Sequence, residues 1–413
     1  MALNTVSSDR LSTNVKNTNF TSAEKQDLTD DIKPLLGSSG GGNKNLIING
    51  AMLVAQRGTS STTNGYGSVD RFRVFFTGLD ESPTQAQADV ASGTTPYTSG
   101  FRKCLKVTNG NQTSGAGAGD YLVIRTTLEA QDIANSGWNY TSSSSNVTLQ
   151  FWIKSSVAQN FYGRLQTQDG TTYNFPFETG SLSADTWTKI TKTISGNSNL
   201  TFNNDNGGGL RVEVIPFYGT DYTASPTLDT WAAHSSSSRT PDNTSTWYTT
   251  NDATLEITGL QLEVGSVATD FEHRSFAVEK GLCERYYQRG RYSSYCQVGT
   301  PGTYYFSRGN IPLFTPMRAS VTGTLNAASN ISNRYFAYKT WADQTNVTAA
   351  PAAVSFTSRV ADGGDGPHTD VISVDIGVNI SSGASNSPKP ANGPGSNNVY
   401  PIEYYDIELD AEL

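Results

Sequence analysis

Catalytic chemistry has few candidate residues in this chain. The sequence contains three histidines, His234, His273 and His368, and none has metal-ligand spacing to a cysteine or to another histidine. No Gly-x-Ser-x-Gly elbow and no phosphate loop occurs. We therefore expect no catalytic residue, no metal and no cofactor, and we expect that the protein is not an enzyme.

Paired carboxylates are the one catalytic device that the sequence leaves open, because a glycosidase needs only two of them. Glu263, Asp270 and Glu272 lie close together along the chain. Their alternative role is capping and hydrogen bonding at a bulge and a turn. We favour that role, and polysaccharide depolymerase stays the less favoured function.

Aromatic residues in polar surroundings suit sugar binding, since flat rings stack on sugar rings and neutral polar groups bind hydroxyls. Trp231, Trp247 and Tyr248 lie in the Ser/Thr-rich segment 221–250, together with His234. This segment has little periodicity and predicts a surface loop, and loops on a rigid scaffold commonly carry recognition. The three aromatic residues are glycan-binding candidates; the alternative is that their rings anchor the loop.

Trp152 is a fourth glycan-binding candidate. Val147, Leu149, Phe151 and Ile153 alternate with polar residues and predict a strand that turns these four side chains inward. Trp152 would then point outward, where its ring could stack on a sugar or pack against a second subunit. Cover by a neighbouring loop is the alternative.

Strand signals recur from residue 45 to residue 275. The dipeptide Asp169-Gly170 separates two apolar runs and predicts a hairpin, and Leu210, Val212 and Val214 mark another strand. Many short strands without a long helix predict an all-β, antiparallel sandwich. We expect a jelly-roll sandwich over 45–275 that resembles carbohydrate-binding modules.

A phase shift interrupts the last strand of this sandwich. Leu255 and Ile257 alternate, and after Gly259 the apolar positions resume at Leu260 and Leu262. One extra residue at a glycine predicts a β-bulge.

A short connecting helix is expected within 276–290. Val278, Leu282 and Tyr286 have helical spacing, and Ser275 is suited to cap the amino terminus of this helix.

A second antiparallel β-domain is expected over 291–413. Apolar residues alternate strictly at positions 372–380. The terminal strand sets four carboxylates on one face, namely Asp406, Glu408, Asp410 and Glu412. Like charges in a row predict an exposed edge strand.

Residues 1–44 differ from the rest of the chain. Thr21 and Glu24 form a capping-box pattern, Pro34 would end a short helix, and a glycine-rich linker covers 37–42. We expect a helical or flexible docking segment; a disordered tail is the alternative.

Composition limits the partners. Charged residues are 16% of the chain, the net charge is −8, and no basic stripe is visible, so we expect no nucleic-acid partner. No apolar run is long enough to cross a bilayer, and residues 1–25 lack the apolar core of a signal peptide. Cys104, Cys283 and Cys296 are expected to be reduced thiols, with a bridge between the last two as the alternative.

Several motifs resemble those of bacteriophage tail-fibre and related virion proteins. They are Asn45 to Gly50, Gln56 to Ser60, Gly65-Tyr66, Asp70-Arg71-Phe72 (where the family often has Trp in place of Phe72), Gly259 to Gly265, Ala268 to Glu272 with Arg274, Cys283 to Tyr287, Pro316-Met317-Arg318 and Asp410 to Leu413. Their order implies a virion structural protein, with a tail fibre that binds host surface polysaccharide non-covalently as the favoured role. An architectural capsid fibre, decoration or tail adaptor protein is the alternative.

The resemblance also implies an assembly. Similar fibres are homotrimers, and their amino-terminal segment, here 1–44, attaches to other virion proteins of the tail or capsid. The protein would be made in the host cytoplasm without a signal peptide. Tyr286 and Tyr287 follow the domain junction and are candidates for a subunit interface; packing within one chain is the alternative.

Overall fold

The computed structural model describes residues 44–292, 295–297, 305–312, 315–319, 322–325, 338–339, 346–347, 351–358, 371–378, 399–401 and 405–413. Side chains are described for 44–289, 315–319 and 408–413. Positions 1–43, which make up nearly all of the predicted docking segment, His368 and the side chain of Cys296 lie outside these residues.

Twelve strands build two sheets. They are β1 Ser60–Ser61, β2 Arg73–Thr77, β3 Thr84–Asp89, β4 Lys103–Thr108, β5 Tyr121–Glu129, β6 Asn146–Ser155, β7 Asn160–Thr167, β8 Tyr173–Ser181, β9 Thr188–Ser195, β10 Gly208–Tyr218, β11 Ala232–Ala233 and β12 Thr254–Val264. The first sheet has the order β1-β3-β4-β12-β6-β9, and the second has the order β11-β8-β7-β10-β5-β2. Every neighbouring pair is antiparallel, so the all-β sandwich prediction is confirmed.

Strict alternation places the core between the sheets. The predicted inward residues of β6, namely Val147, Leu149, Phe151 and Ile153, are all buried. They pack in one cluster with side chains from the second sheet, which include Val74, Ile124, Leu165, Phe177, Val212 and Val214. Burial of apolar surface at about 25 cal/mol per Å² is the main force that holds the sheets together.

The predicted bulge lies in β12. The pairing of β12 with β6 shifts between Thr258 and Gln261, and Gly259 has a φ of +67°. A side chain at this position would also collide with the ring of Phe101, since a Cβ would lie 2.6 Å from it. Glycine is therefore required here both by the backbone conformation and by the close approach.

Four short helices complete the sandwich: α1 Thr95–Thr98, α2 Ala130–Ala134, α3 Thr246–Thr249 and α4 Phe276–Glu284, with one 3₁₀ turn at Thr220–Tyr222. Ser275 caps α4 by accepting a hydrogen bond from the amide of Val278, as predicted. The predicted helix is present as α4. Of the residues whose spacing predicted it, Tyr286 is buried and Val278 is 51% exposed, while Glu279 and Cys283 are also buried. Glu279 is drawn inward by the amide of Asn49, which donates to its carboxylate.

The described residues beyond α4 form ten further strands: β13 Tyr287–Tyr292, β14 Tyr295–Gln297, β15 Tyr305–Pro312, β16 Thr322–Leu325, β17 Tyr338–Lys339, β18 Asn346–Val347, β19 Pro351–Ser358, β20 Val371–Val378, β21 Val399–Pro401 and β22 Tyr405–Asp410. All their pairings are antiparallel. The edge-strand prediction for the terminal strand is wrong, since β22 lies between β13 and β16 in a three-stranded sheet.

Cys104 and Cys283 are free and buried, as expected for reduced thiols. Within the part of the chain that the structure describes, no helix has the length and apolar character needed to cross a membrane. The limits of the four predicted segments, 1–44, 45–275, 276–290 and 291–413, stay a prediction.

Candidate functional site

Trp247 and Tyr248 lie in the core. Both are 0% exposed, and the Trp247 indole donates to the carbonyl of Thr254 at 3.0 Å. The Tyr248 hydroxyl donates to Asp120 at 3.0 Å, and its ring stacks on Phe217 with centroids 4.2 Å apart. Neither ring offers a face to a sugar, so the glycan-binding assignment of this pair is corrected and the rings anchor the 221–250 segment.

Trp231 and Trp152 are also held by the chain itself. Trp231 is 7% exposed, and its indole donates to the carbonyl of Ser195 at 2.8 Å. Trp152 is half-buried and packs with Phe101 and Trp187 in a cluster on the outer face of the first sheet. Trp231 therefore anchors its loop, and Trp152 points outward as predicted but against covering residues.

Two of the three predicted carboxylates at the bulge, those of Glu263 and Glu272, have the structural role. Glu263 is buried and accepts from the amide of Thr269 at 2.8 Å, from the Thr269 hydroxyl at 2.6 Å and from Gln261 at 2.9 Å. Glu272 accepts from the amide of Asn45 at 2.7 Å. The Asp270 carbonyl accepts from Lys44 at 2.6 Å, so the cluster ties the bulge to the start of the sandwich.

Tyr286 and Tyr287 pack within the chain. Both are nearly fully buried. The guanidinium of Arg71 lies 3.4 Å from the ring centroid of Tyr286, and that of Arg57 lies 3.7 Å from that of Tyr287. Cation–π contacts of this kind are strongest when water is excluded. The intrachain alternative therefore describes these rings, and neither is free to form a subunit interface.

The same two arginines bind the carboxyl-terminal residues. Arg71 pairs with Glu412, and Arg57 reaches Asp410 at 2.9 Å and Glu412 at 3.3 Å. Nearby, Arg318 donates to the carbonyl of Ala411 at 2.8 Å. We call this cluster of Arg57, Arg71, Asp410 and Glu412 the junction; four of the sequence motifs, namely Gln56 to Ser60, Asp70-Arg71-Phe72, Cys283 to Tyr287 and Asp410 to Leu413, contribute residues to it or pack against it.

Burial controls the charge at the junction. It raises the pKa of Asp70 to about 6, against hydrogen bonds from Gln56 and the charge of Arg57. Desolvation also opposes the charge of Arg71, but Glu412 outweighs it and keeps the pKa of Arg71 above its ordinary value. The arginines of the junction are paired with carboxylates of the chain itself, so they are not available to bind a ligand.

The outer face of the second sheet has a different chemistry. Its strands alternate, so that residues opposite the core side chains line up in registered rows. One row is Arg73, Arg125, Glu213 and Arg164, and the next carries Thr127, Arg211, Gln166 and Asn174. We call this surface, with Arg239 from the covering segment, the arginine face.

Glu213 organises the centre of the arginine face. Arg125 donates to it at 2.6 Å, and Arg164 binds its other oxygen. Burial disfavours the charged carboxylate, but the two guanidinium groups outweigh burial and lower the pKa of Glu213 to about 2. This buried arrangement is fixed in geometry, because both carboxylate oxygens are held by charged donors.

The segment after β10 covers part of the face. Arg239 lies over Tyr222, with the guanidinium 4.4 Å from the ring centroid, and over Tyr218 at 5.4 Å. His234 approaches Asn174, with 2.8 Å between ring Nδ1 and the amide nitrogen. Burial, together with Arg164 and Arg239, lowers the pKa of His234, so the neutral ring accepts from Asn174 at ordinary pH.

Sequence reasoning missed the arginine face. Its arginines come from strands far apart in the chain, and the sequence shows no basic stripe. A local signal does exist: Arg125, Arg164 and Arg211 each occupy the polar phase of an alternating strand. Only the strand register brings them together.

The carboxylate at the centre of the arginine face is already bound by the chain itself. In the described ranges, no group of three or more His, Cys, Asp or Glu side chains is placed to hold a metal ion. The Glu213 carboxylate is saturated by arginines and is a poor proton acceptor at neutral pH, since its pKa is about 2.

No family model matches the sequence, and no curated protein matches it either. Among solved structures, the chain is similar to a putative sugar binding protein from Bacteroides thetaiotaomicron VPI-5482. The alignment covers 54% of this chain and 100% of that one, with 12% identity and a TM-score of 0.28. A family 11 carbohydrate-binding module from Clostridium thermocellum, in complex with a β-1,3-1,4-mixed-linked tetrasaccharide, shares 10% identity over 52% and 98% of the two chains, with a TM-score of 0.24. A family 30 carbohydrate-binding module shares 10% identity over 59% and 97%, with a TM-score of 0.26. The fold assignment rests on this chain's own strand pairing, and none of the three is described as a virion protein.

Proposed function

We propose that this chain is a bacteriophage virion protein, a tail fibre or receptor-binding protein that attaches the particle to host surface glycans by non-covalent binding. The virion role rests on the sequence motifs. The binding role is carried by one observation: the outer face of the second sheet carries polar side chains in registered rows beside aromatic rings, and Arg73, Arg125 and Arg211 of these rows are partly exposed. Such a surface combines polar groups for hydroxyls with flat faces for sugar rings.

The assembly belongs to the same proposal. Residues 1–44 would dock to other virion proteins of the tail or capsid, and three copies would form the fibre. Several weak sugar contacts on one particle then act together, which raises the apparent affinity well above that of a single site.

One observation favours an architectural role as the second candidate. Several of the motifs that resemble phage proteins contact one another at the junction, among them those that contain Arg57, Arg71 and Glu412. A capsid fibre, decoration or tail adaptor protein would need this stability and no host ligand. Depolymerase activity has less support, because Glu263 and Glu272 are occupied by hydrogen bonds to the chain's own backbone.

Binding of the full-length protein to candidate host cells tests the proposal. The variant Tyr222→Ala removes a half-buried ring that an arginine covers at 4.4 Å on the arginine face. The matched control is Tyr97→Ala, which removes a half-buried ring covered by Arg102 at 3.9 Å beside the first sheet. We expect wild type and the control to bind equally and Tyr222→Ala to bind about tenfold more weakly, a loss near 1.4 kcal/mol.

Periodate treatment of the cells adds an independent arm, since it cleaves the vicinal diols of sugars. Binding should be lost on treated cells. Equal binding to treated and untreated cells would reject a glycan receptor. Incorporation into virions without any cell binding would establish the architectural role instead.

A further inference from the structure

The arginine face is positively charged in an acidic protein. It gathers five arginines, Arg73, Arg125, Arg164, Arg211 and Arg239. The Glu213 carboxylate contacts two of them, Arg125 and Arg164. Glu178 stands at the far edge of the sheet and accepts a hydrogen bond from Asn160 at 2.8 Å. The whole chain has a net charge of −8, so this excess of cations is local.

Three of these arginines have no acidic partner within the part of the chain that the structure describes. Among the described residues, no carboxylate lies within 4.0 Å of the Arg73, Arg211 or Arg239 guanidinium. Arg211 donates to Gln166 at 3.2 Å, while its Nε is buried without any hydrogen-bond partner. A buried unpaired donor costs about 1–3 kcal/mol, and an anionic ligand at this place would satisfy it.

The cations repel one another in the free protein. Burial and the neighbouring Arg125 lower the pKa of Arg211 to about 10, which leaves it protonated at neutral pH. An anion that entered the face would relieve this repulsion, whereas a neutral sugar would not.

We propose that the arginine face selects anionic polysaccharides, whose repeat unit carries a carboxylate or a phosphate. This inference rests on the proposed glycan-binding function and names its ligand class. Planar guanidinium groups match both anions with two parallel hydrogen bonds. The half-buried rings of Phe75 and Tyr222 flank the cations, with the guanidinium of Arg239 4.4 Å from the Tyr222 centroid.

A nucleic acid is the less favoured ligand of the same charge. The strands of the second sheet contain no lysine, whereas proteins that follow a phosphate backbone usually cluster both lysine and arginine.

The test measures binding of the full-length chain to four immobilised probes: polygalacturonate, its methyl ester, glycerol-phosphate teichoic acid, and duplex DNA. The methyl ester keeps the sugar and removes the charge. We expect at least tenfold tighter binding to one acidic polysaccharide than to the ester, with affinity falling as salt rises from about 50 to about 500 mM. The two acidic arms distinguish carboxylate from phosphate as the recognised group.

Two triple variants locate the effect. Arg73→Gln/Arg211→Gln/Arg239→Gln removes three charges from the arginine face, and Lys106→Gln/Lys189→Gln/Lys192→Gln removes three from the strands of the first sheet. Both have the same net charge. We expect the arginine variant to lose at least tenfold in affinity and the lysine variant to stay within twofold.

Results that contradict the anionic preference differ from results that contradict glycan binding itself. Equal affinity for polygalacturonate and its ester, or equal loss in both triple variants, would overturn the anionic preference and leave glycan binding intact. Preference for DNA over every polysaccharide would also overturn it. Absence of binding to all probes and to a broad glycan array would reject the proposed function together with this inference. The comparison of acid and ester uses wild-type protein, so it decides the matter even if a variant folds poorly.

Discussion

The two sheets of the sandwich use different cations. The strands of the first sheet contain five lysines and no arginine, at positions 103, 106, 154, 189 and 192. The strands of the second contain four arginines and no lysine, at positions 73, 125, 164 and 211. Lysine keeps its ammonium hydrated, whereas arginine makes planar, directional contacts at lower hydration cost.

The outer faces differ accordingly. The first sheet is covered by apolar residues, with Phe101, Val90 and Ala51 buried against it. The second sheet has a smaller apolar cluster around Val123 and Ile215, beside the arginine face. The first outer face is covered by apolar side chains, whereas the second is polar and only partly covered. Arg164 and Glu213 are buried there, while Arg73, Arg125 and Arg211 are half-buried. A ligand is expected at these half-buried arginines.

The largest expected effect is a difference in stability loss between substitutions of two glutamates, one on each sheet. Glu213→Gln leaves Arg125 and Arg164 buried without their counter-charge and should lower the free energy of unfolding by about 3–5 kcal/mol. Glu256→Gln on the first sheet breaks a pair with Lys154 at 3.0 Å, and should cost about 1 kcal/mol or less because the lysine keeps water contact. Chemical denaturation of both variants measures the free energy of unfolding that each one loses. Equal losses would show that the two glutamates do not differ.

Lowering the pH should reduce the stabilisation that Glu213 provides. The pKa of Glu213 is lowered from 4.5 to about 2 in the folded state, so its stabilisation is present above pH 4.5 and is lost as pH falls towards 2. Asp70 acts in the opposite sense, because its raised pKa of about 6 favours the folded state as pH falls from about 6 to 4. The effect of Asp70 is the same in wild type and in Glu213→Gln, so it cancels when the free energies of unfolding of the two proteins are subtracted.

We therefore expect the stability gap between wild type and Glu213→Gln to be constant from pH 7 to about 5 and to narrow below that. Denaturation series at each pH measure the gap. A gap that stays constant down to pH 2.5 would show that Glu213 titrates normally.

A smaller effect is expected on the first sheet. Trp152→Ala removes a half-buried ring from the cluster around Phe101 and should cost about 1–2 kcal/mol, less than the loss for a fully buried tryptophan. Polysaccharide affinity should stay within twofold, as measured by the same binding assay. A large loss of affinity with normal stability would place a sugar site on the first sheet, as the sequence suggested.

The smallest effect concerns the identity of the cation. Arg211→Lys keeps the charge of the arginine face but loses the planar fork, and should weaken binding of an acidic polysaccharide by about three- to tenfold. Lys189→Arg makes the reverse exchange at an exposed position of the first sheet and should change nothing. If neither exchange changes the affinity for the acidic polysaccharide, charge alone selects the ligand.

Local patterns were enough to predict much of the sandwich. Alternation in β6 and β10, the turn at Asp169-Gly170, the bulge at Gly259 and the cap at Ser275 were all read from neighbouring residues. These features depend on backbone preference and on side-chain phase, which a short window contains.

What required the structure was contact between distant residues. Trp247 looked like a loop residue because its own neighbours are polar, yet it is buried by Phe161 and other residues from remote strands. The position of β22 inside its sheet depends on β16, more than 80 residues earlier. The arginine face arises in the same way, from the register of four strands.

The bulge at Gly259 has a consequence for the order of folding. Beyond it, β12 turns from β4 to the start of the sandwich, where Leu46 donates to the carbonyl of Leu262 at 2.9 Å and Asn45 donates to that of Leu260 at 3.0 Å. The second contact joins residues 215 positions apart, so a very large loop must close before it forms. We expect this closure to follow the rate-limiting step, which means that strengthening it would slow unfolding and leave the folding rate unchanged.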